Sequence, residues 1–86
     1  MARALTVHRT LVTPNERERY FERLRRKRQH YAQAKCEFWV FEEKSLPGAF
    51  LEFVEAADAG TLERAHAGAP EPSLDPARIY QEVEIP

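Results

Sequence analysis

Hydrophobic and polar residues alternate over residues 4–12, ALTVHRTLV. Leu5, Val7 and Leu11 stand against Thr6, His8 and Thr10, a period of two that predicts a first strand. The pattern stops at Thr13-Pro14-Asn15-Glu16. A threonine cap, a proline at the first helical position and a glutamate three residues after the cap form a capping box. Helix is expected from Pro14 to about Ala34, because Tyr20, Phe21, Leu24 and Tyr31 recur near the 3.6-residue period with no Gly or Pro between them. CEFWVFEE then reads as a second strand, KSLPGA as a turn and FLEFVEA as a third strand paired with the second. Asp58 is placed to cap a short helix over AGTLERAHA, with Gly68 as its stop. APEPSLDP (69–76) holds three prolines in eight residues and reads as loop, and ARIYQEVEI (77–85) alternates again as a fourth strand.

The resulting order, β-α-β-β-α-β, predicts an α+β fold of the ferredoxin-like kind: a four-stranded antiparallel sheet with both helices on one face, in a single domain over 1–86. Within CEFWVF (36–41), Cys36, Phe38 and Val40 point to one side and Glu37, Trp39 and Phe41 to the other. Both sides therefore carry large apolar groups, while the helices can cover only one. Trp39 and Phe41 are expected to share the helix-free face with Phe50 and Val54 of the third strand and Tyr80 of the fourth. Burying a large aromatic contributes about 1.5 to 3 kcal/mol. A second copy of the chain is the expected cover, making a homodimer through that face.

Composition narrows the class without naming a function. A charged fraction of 31% and a hydrophobic fraction of 43% are ordinary for a globular domain. No apolar run approaches the ~18 residues that a transmembrane helix needs, and MARALTVHRT lacks the apolar centre of a secretory signal. With Cys36 as the single cysteine, a cytoplasmic location is expected, and Cys36 reads as a small buried hydrophobe. The net charge of −1 conceals an asymmetry: residues 1–35 hold ten Lys/Arg against three Glu, and residues 36–86 hold three against eleven Asp/Glu.

With the elements in this order, the chain resembles the dimeric α+β barrel superfamily, specifically the small antibiotic-biosynthesis-monooxygenase-like (ABM) domains. The likeness spans nearly the whole length: a first strand, a long capped helix, the cysteine that opens strand two in AKCEFWVFEE, FLEFVE as strand three, and a short helix ending in ERAH. It implies a homodimer whose sheets pack into a barrel, with a small pocket on the helix-free face of each subunit. Family members include cofactor-independent oxygenases of electron-rich aromatic substrates, haem-degrading relatives and domains with no known role. The chain departs from the family enzymes in two places. Glu55-Ala56-Ala57 stands where they often carry Glu-Arg-Trp, and the first strand lacks the asparagine of the haem-degrading relatives. GAFLEF (48–53) also resembles part of the strand-three signature of the RNA-recognition motif. Thr6 and His8 stand where that motif wants an aromatic platform, so nucleic acid is not the expected partner.

Candidate chemistry centres on His8 and Glu52. Strands one and three are central neighbours in such a sheet, so a carboxylate there can orient an imidazole that acts as general base toward a phenolic or enolic proton. The alternative is a polar pair at an interface. Trp39, Phe41, Phe50 and Tyr80 are expected either to wall a pocket for a small aromatic ligand or to form dimer core. His66 reads as a helix-end residue or a pocket group. Histidines at 8, 30 and 66 follow no metal-ligand spacing, and neither metal nor cofactor is expected. The run RLRRKR (23–28) reads as a solvated helix face, with Glu22 and Arg26 spaced for an ion pair; anionic partners are the other reading.

Overall fold

A computed structural model describes residues 2–70 and 78–86. It holds strands β1 (Ala4–Leu11), β2 (Glu37–Glu42), β3 (Ala49–Ala56) and β4 (Tyr80–Gln81), with helices α1 (Arg17–Gln33) and α2 (Ala59–Ala67) between them. The strands form one antiparallel sheet in the order β2-β3-β1-β4. This is an α+β architecture compatible with a ferredoxin-like fold.

Local signals act mostly as their chemistry dictates. Asp58 caps α2, its carboxylate accepting from the Thr61 amide at 2.8 Å, and Gly68 ends that helix. The expected capping box differs in detail. Pro14–Glu16 forms a 3-10 turn, and α1 proper starts at Arg17. The Thr13 hydroxyl lies 3.0 Å from a Glu16 carboxylate oxygen instead of bonding the backbone, so the two residues meet through their side chains. At its far end α1 closes through Lys35 in a left-handed conformation (φ 64°), with the Cys36 amide donating to the Tyr31 carbonyl at 2.8 Å. Between β2 and β3, Gly48 takes φ 93° and lies so close to Val12 that an added Cβ would sit 2.4 Å from the Val12 carbonyl oxygen. Only glycine fits both constraints.

Two expectations are corrected. The fourth strand, read from the sequence as 77–85, is only Tyr80–Gln81, extended by the Glu82 amide donating to the Arg3 carbonyl at 2.8 Å. It pairs with Ala4 and Leu5, the first two residues of β1. Ala77 and most of the proline-rich loop lie outside the described residues.

The second correction concerns β3. The register pairs Thr6 with Val54, His8 with Glu52 and Thr10 with Phe50, and on the other side Phe38 with Val54 and Val40 with Glu52. Directly paired residues share a face. Phe50 and Val54 therefore point to the packed side, opposite Trp39 and Phe41. Phe50 is buried against Tyr20 and Leu24 of α1. Val54 packs with Ala4, Ala56, Tyr31, Leu62 and Ala65. The face carrying Trp39 and Phe41 instead takes Leu51 and Phe53 from β3, Leu5, Val7 and Leu11 from β1, and Tyr80 from β4.

Candidate functional site

The residues singled out in the sequence divide between two places. On the packed side, His8 and Glu52 are direct neighbours across β1 and β3, as strand adjacency suggested. They do not form the expected couple. The Glu52 carboxylate, on a residue only 6% exposed, accepts from the Tyr20 hydroxyl at 2.9 Å on one oxygen and from the Lys27 ammonium at 2.9 Å on the other. His8 stays exposed beside it. A buried carboxylate needs compensating partners, and α1 supplies both.

Further along the same side, the His66 ring joins three elements. Its Nε2 lies 2.8 Å from the Thr6 hydroxyl on β1, and its Nδ1 lies 2.9 Å from the Tyr31 hydroxyl on α1. Burial, aided by the nearby His30 and Lys27, lowers the His66 pKa and favours the neutral ring. A neutral imidazole donates through one nitrogen and accepts through the other, so the two hydroxyls take opposite roles. Burial first, and the charges of Glu52 and Cys36 next, push the Tyr31 phenol up to about 12. The Tyr20 phenol is raised further, by burial and by the Glu52 carboxylate that it bonds. Both tyrosines are therefore held protonated at neutral pH, and the Tyr20 hydroxyl donates to Glu52.

Lys27, Tyr20, Tyr31 and Thr6 are not read as site residues from the sequence, although a signal exists. Tyr20, Leu24, Lys27 and Tyr31 follow spacings of four, three and four, the inward stripe of a helix. Lys27 falls in that stripe despite lying inside RLRRKR. The rest of the run behaves largely as a solvated face: Arg25, Arg26 and Arg28 are exposed, and Arg26 stands 3.9 Å from Glu22 in the expected pair. Arg23 lies over the Tyr20 ring, 5.7 Å from its centroid.

On the opposite face an open concavity of about 540 Å³ is walled by Leu5, Trp39, Phe41, Phe53 and Tyr80, with Arg3, Glu55 and Glu82 also lining it. Trp39, Phe41 and Tyr80 are about half exposed, and the Phe41 and Phe53 rings meet edge to face at 5.6 Å. Three of the four expected pocket residues come together here. Phe50 does not, because its register turns it into the core. Arg3 holds the charged part of the lining in place, donating to Glu82 at 2.7 and 3.1 Å and to Glu55 at 2.9 Å. The arrangement suits a flat apolar ligand or the side chains of another protein surface.

Among the described residues, no three of His, Cys, Asp and Glu converge to hold a metal ion, and no helix is long and apolar enough to cross a membrane. Compared with family models, with curated proteins and with solved structures, the chain matches none.

Proposed function

We propose that this chain is the subunit of a homodimeric ABM-like domain in the cytoplasm: a ferredoxin-like fold with both helices on one face and the other face closed against a second copy into a barrel. In this reading the concavity beside Trp39 becomes a chamber for a small aromatic ligand. One observation carries it. Val7, Leu11, Trp39, Phe41 and Tyr80 are all exposed, between 41% and 67%, on the sheet face opposite Phe50 and Val54. Each large side chain withdrawn from water contributes about 1.5 to 3 kcal/mol. For a domain whose whole stability is about 5 to 10 kcal/mol, a stripe of this kind is a strong drive to associate.

Ligand binding, more than oxidation, is the activity that the geometry favours. His8 and Glu52, the acid–base pair read from the sequence, lie on the side of the sheet away from the concavity. Tyr80 is the titratable aromatic group at the chamber, placed to hydrogen-bond a ligand hydroxyl.

Light scattering at micromolar concentration, followed by thermal-shift assays with a panel of polycyclic phenols and a haem-like ligand, tests both parts. The expected result is a particle of twice the 10.0 kDa chain mass, stabilised by a member of the panel and no longer so after Trp39→Ala. A stable monomer overturns the whole reading. A dimer that no member stabilises leaves an assembly domain and removes the ligand.

A further inference from the structure

The concavity beside Trp39 is apolar along its walls and charged at one end. Leu5 and Phe53, on the two central strands, lie between Trp39 and Phe41 on β2 and Tyr80 on β4, around a space of about 540 Å³. Pockets for small ligands hold about 300 to 1,000 Å³, so a fused aromatic ring system fits. The charged end is not balanced. Arg3 is the cation of the lining, whereas Glu55 and Glu82 are both carboxylates. Arg3 reaches Glu82 at 2.7 and 3.1 Å and the Oε1 atom of Glu55 at 2.9 Å, which leaves Oε2 of Glu55 for another donor. The Glu55 side chain is only 16% exposed. The register sets one more carboxylate beside it, because Glu37 on β2 is the direct ladder partner of Glu55. Residues opposed in this way stand about 4.5 to 5.5 Å apart at Cβ, and like charges there are destabilising. Among the described residues the Glu37 side chain has no hydrogen bond or ion pair.

We infer that the ligand of this concavity is an arylalkylamine, an aromatic ring that carries a protonated amine, with the ring over Leu5 and Phe53 and the ammonium between Glu55 and Glu37. The inference rests on the ligand chamber proposed above and names the class of its ligand.

Charge, spacing and ring chemistry support this occupant. A second copy laid on this face withdraws Glu55 and Glu37 from water, and a carboxylate taken out of water needs a cation or hydrogen-bond donors to stay ionised. The Arg3 guanidinium cannot neutralise Glu37, Glu55 and Glu82 together. A ligand ammonium supplies the missing charge, a neutral phenol does not, and an anionic ligand adds to the excess. The same loss of water lowers the effective dielectric constant and strengthens the attraction. Successive residues on one face of a strand lie about 7 Å apart, which is the step from Phe53 to Glu55 and from Trp39 to Glu37. A linker of about two to three carbon atoms carries an ammonium over that step while the ring stays on the apolar floor. The negative ring faces of Trp39 and Tyr80 add a cation–π attraction for any ammonium within about 6 Å.

The test uses the full chain and three probes built on one ring: tryptamine, its alcohol counterpart tryptophol, and indoleacetate. They present a cation, a neutral group and an anion at nearly the same size. Titration calorimetry at low salt should give tryptamine a Kd at least about tenfold below that of tryptophol, with indoleacetate the weakest of the three. Raised salt should narrow the gap between tryptamine and tryptophol, because screening acts on the charged probe alone. The double variant Glu37→Gln with Glu55→Gln keeps the size of both side chains and removes their charge, and it should bring the two Kd values to within about threefold of each other. Tryptophol or a polycyclic phenol bound as tightly as tryptamine, or more tightly, overturns the cationic ligand and leaves the chamber standing. A preference for tryptamine that survives both substitutions overturns the placement at Glu55 and Glu37. A chain that binds none of the three probes and no member of the phenol and haem-like panel overturns this inference and the ligand chamber together.

Discussion

Lys27 sits in the most basic stretch of the chain, yet it should be the one cation of that stretch whose loss the fold cannot absorb. Its ammonium lies 2.9 Å from Glu52, with side-chain exposures of 18% for Lys27 and 7% for Glu52. At an effective dielectric constant of about 20 the attraction at that distance is on the order of 5 to 6 kcal/mol, much of it offset by the desolvation of both groups. Lys27→Met keeps the packing of the stem and deletes the charge. The carboxylate then remains buried with the Tyr20 hydroxyl as its surviving donor. Breaking a fully buried pair costs about 3 to 5 kcal/mol; partial exposure of Lys27 and the retained Tyr20 bond lower the expected loss to about 2 to 3 kcal/mol. Against a total of about 5 to 10 kcal/mol this is a large fraction. Urea denaturation at fixed protein concentration, which holds any association constant, should show the midpoint falling by about 2 M. Arg25→Met, at an exposed position of the same run, should move stability by no more than about 0.5 kcal/mol. Pairing Lys27→Met with Glu52→Met should lose less than the two single losses added, because no unpaired charge remains inside. Equal, small effects of Lys27→Met and Arg25→Met would refute the reasoning.

Two further outcomes follow from the same physical terms. Because burial lowers the His66 pKa below its unfolded value of about 6.5, the stability it contributes is present above that pH and is lost as the pH falls through the folded value. Melting temperatures measured from pH 7.5 down to 5 should fall more steeply for the wild-type chain than for His66→Gln, and parallel curves would remove His66 as the cause. Gly48→Ala places a Cβ against the Val12 carbonyl at φ 93° and should lower stability by at least about 2 kcal/mol in the same urea assay; a neutral result would show that this turn relaxes freely.

Much of the architecture was legible along the chain because its signals are local. The two-residue alternation of β1, the Asp58 cap and the Gly68 stop each act over a few residues, and each appears where the chemistry places it. Strand register is not local. A shift of one residue in β3 exchanges the two faces, and no feature of FLEFVEA alone distinguishes Phe50 from Phe53 as the core residue. The hydrogen bonds to β1 and β2 settled it, turning Phe50 onto Tyr20 and Phe53 toward Trp39. The candidate site divided for the same reason. Trp39, Phe41 and Tyr80 went to the open face, whereas Glu52 went inward to Tyr20 and Lys27, residues that approach it only when α1 packs on the sheet.

By itself, then, the sequence determined the order of elements, the Asp58 cap and the Gly68 stop of α2, and the presence of more large apolar side chains on the sheet than two helices can hide. Tertiary structure alone decided which of those side chains are hidden, which carboxylate is buried and what neutralises it, and how short the fourth strand is. Periodicity within one segment fixes how its side chains alternate, but only contact with a second segment fixes which of the two alternating sets faces inward.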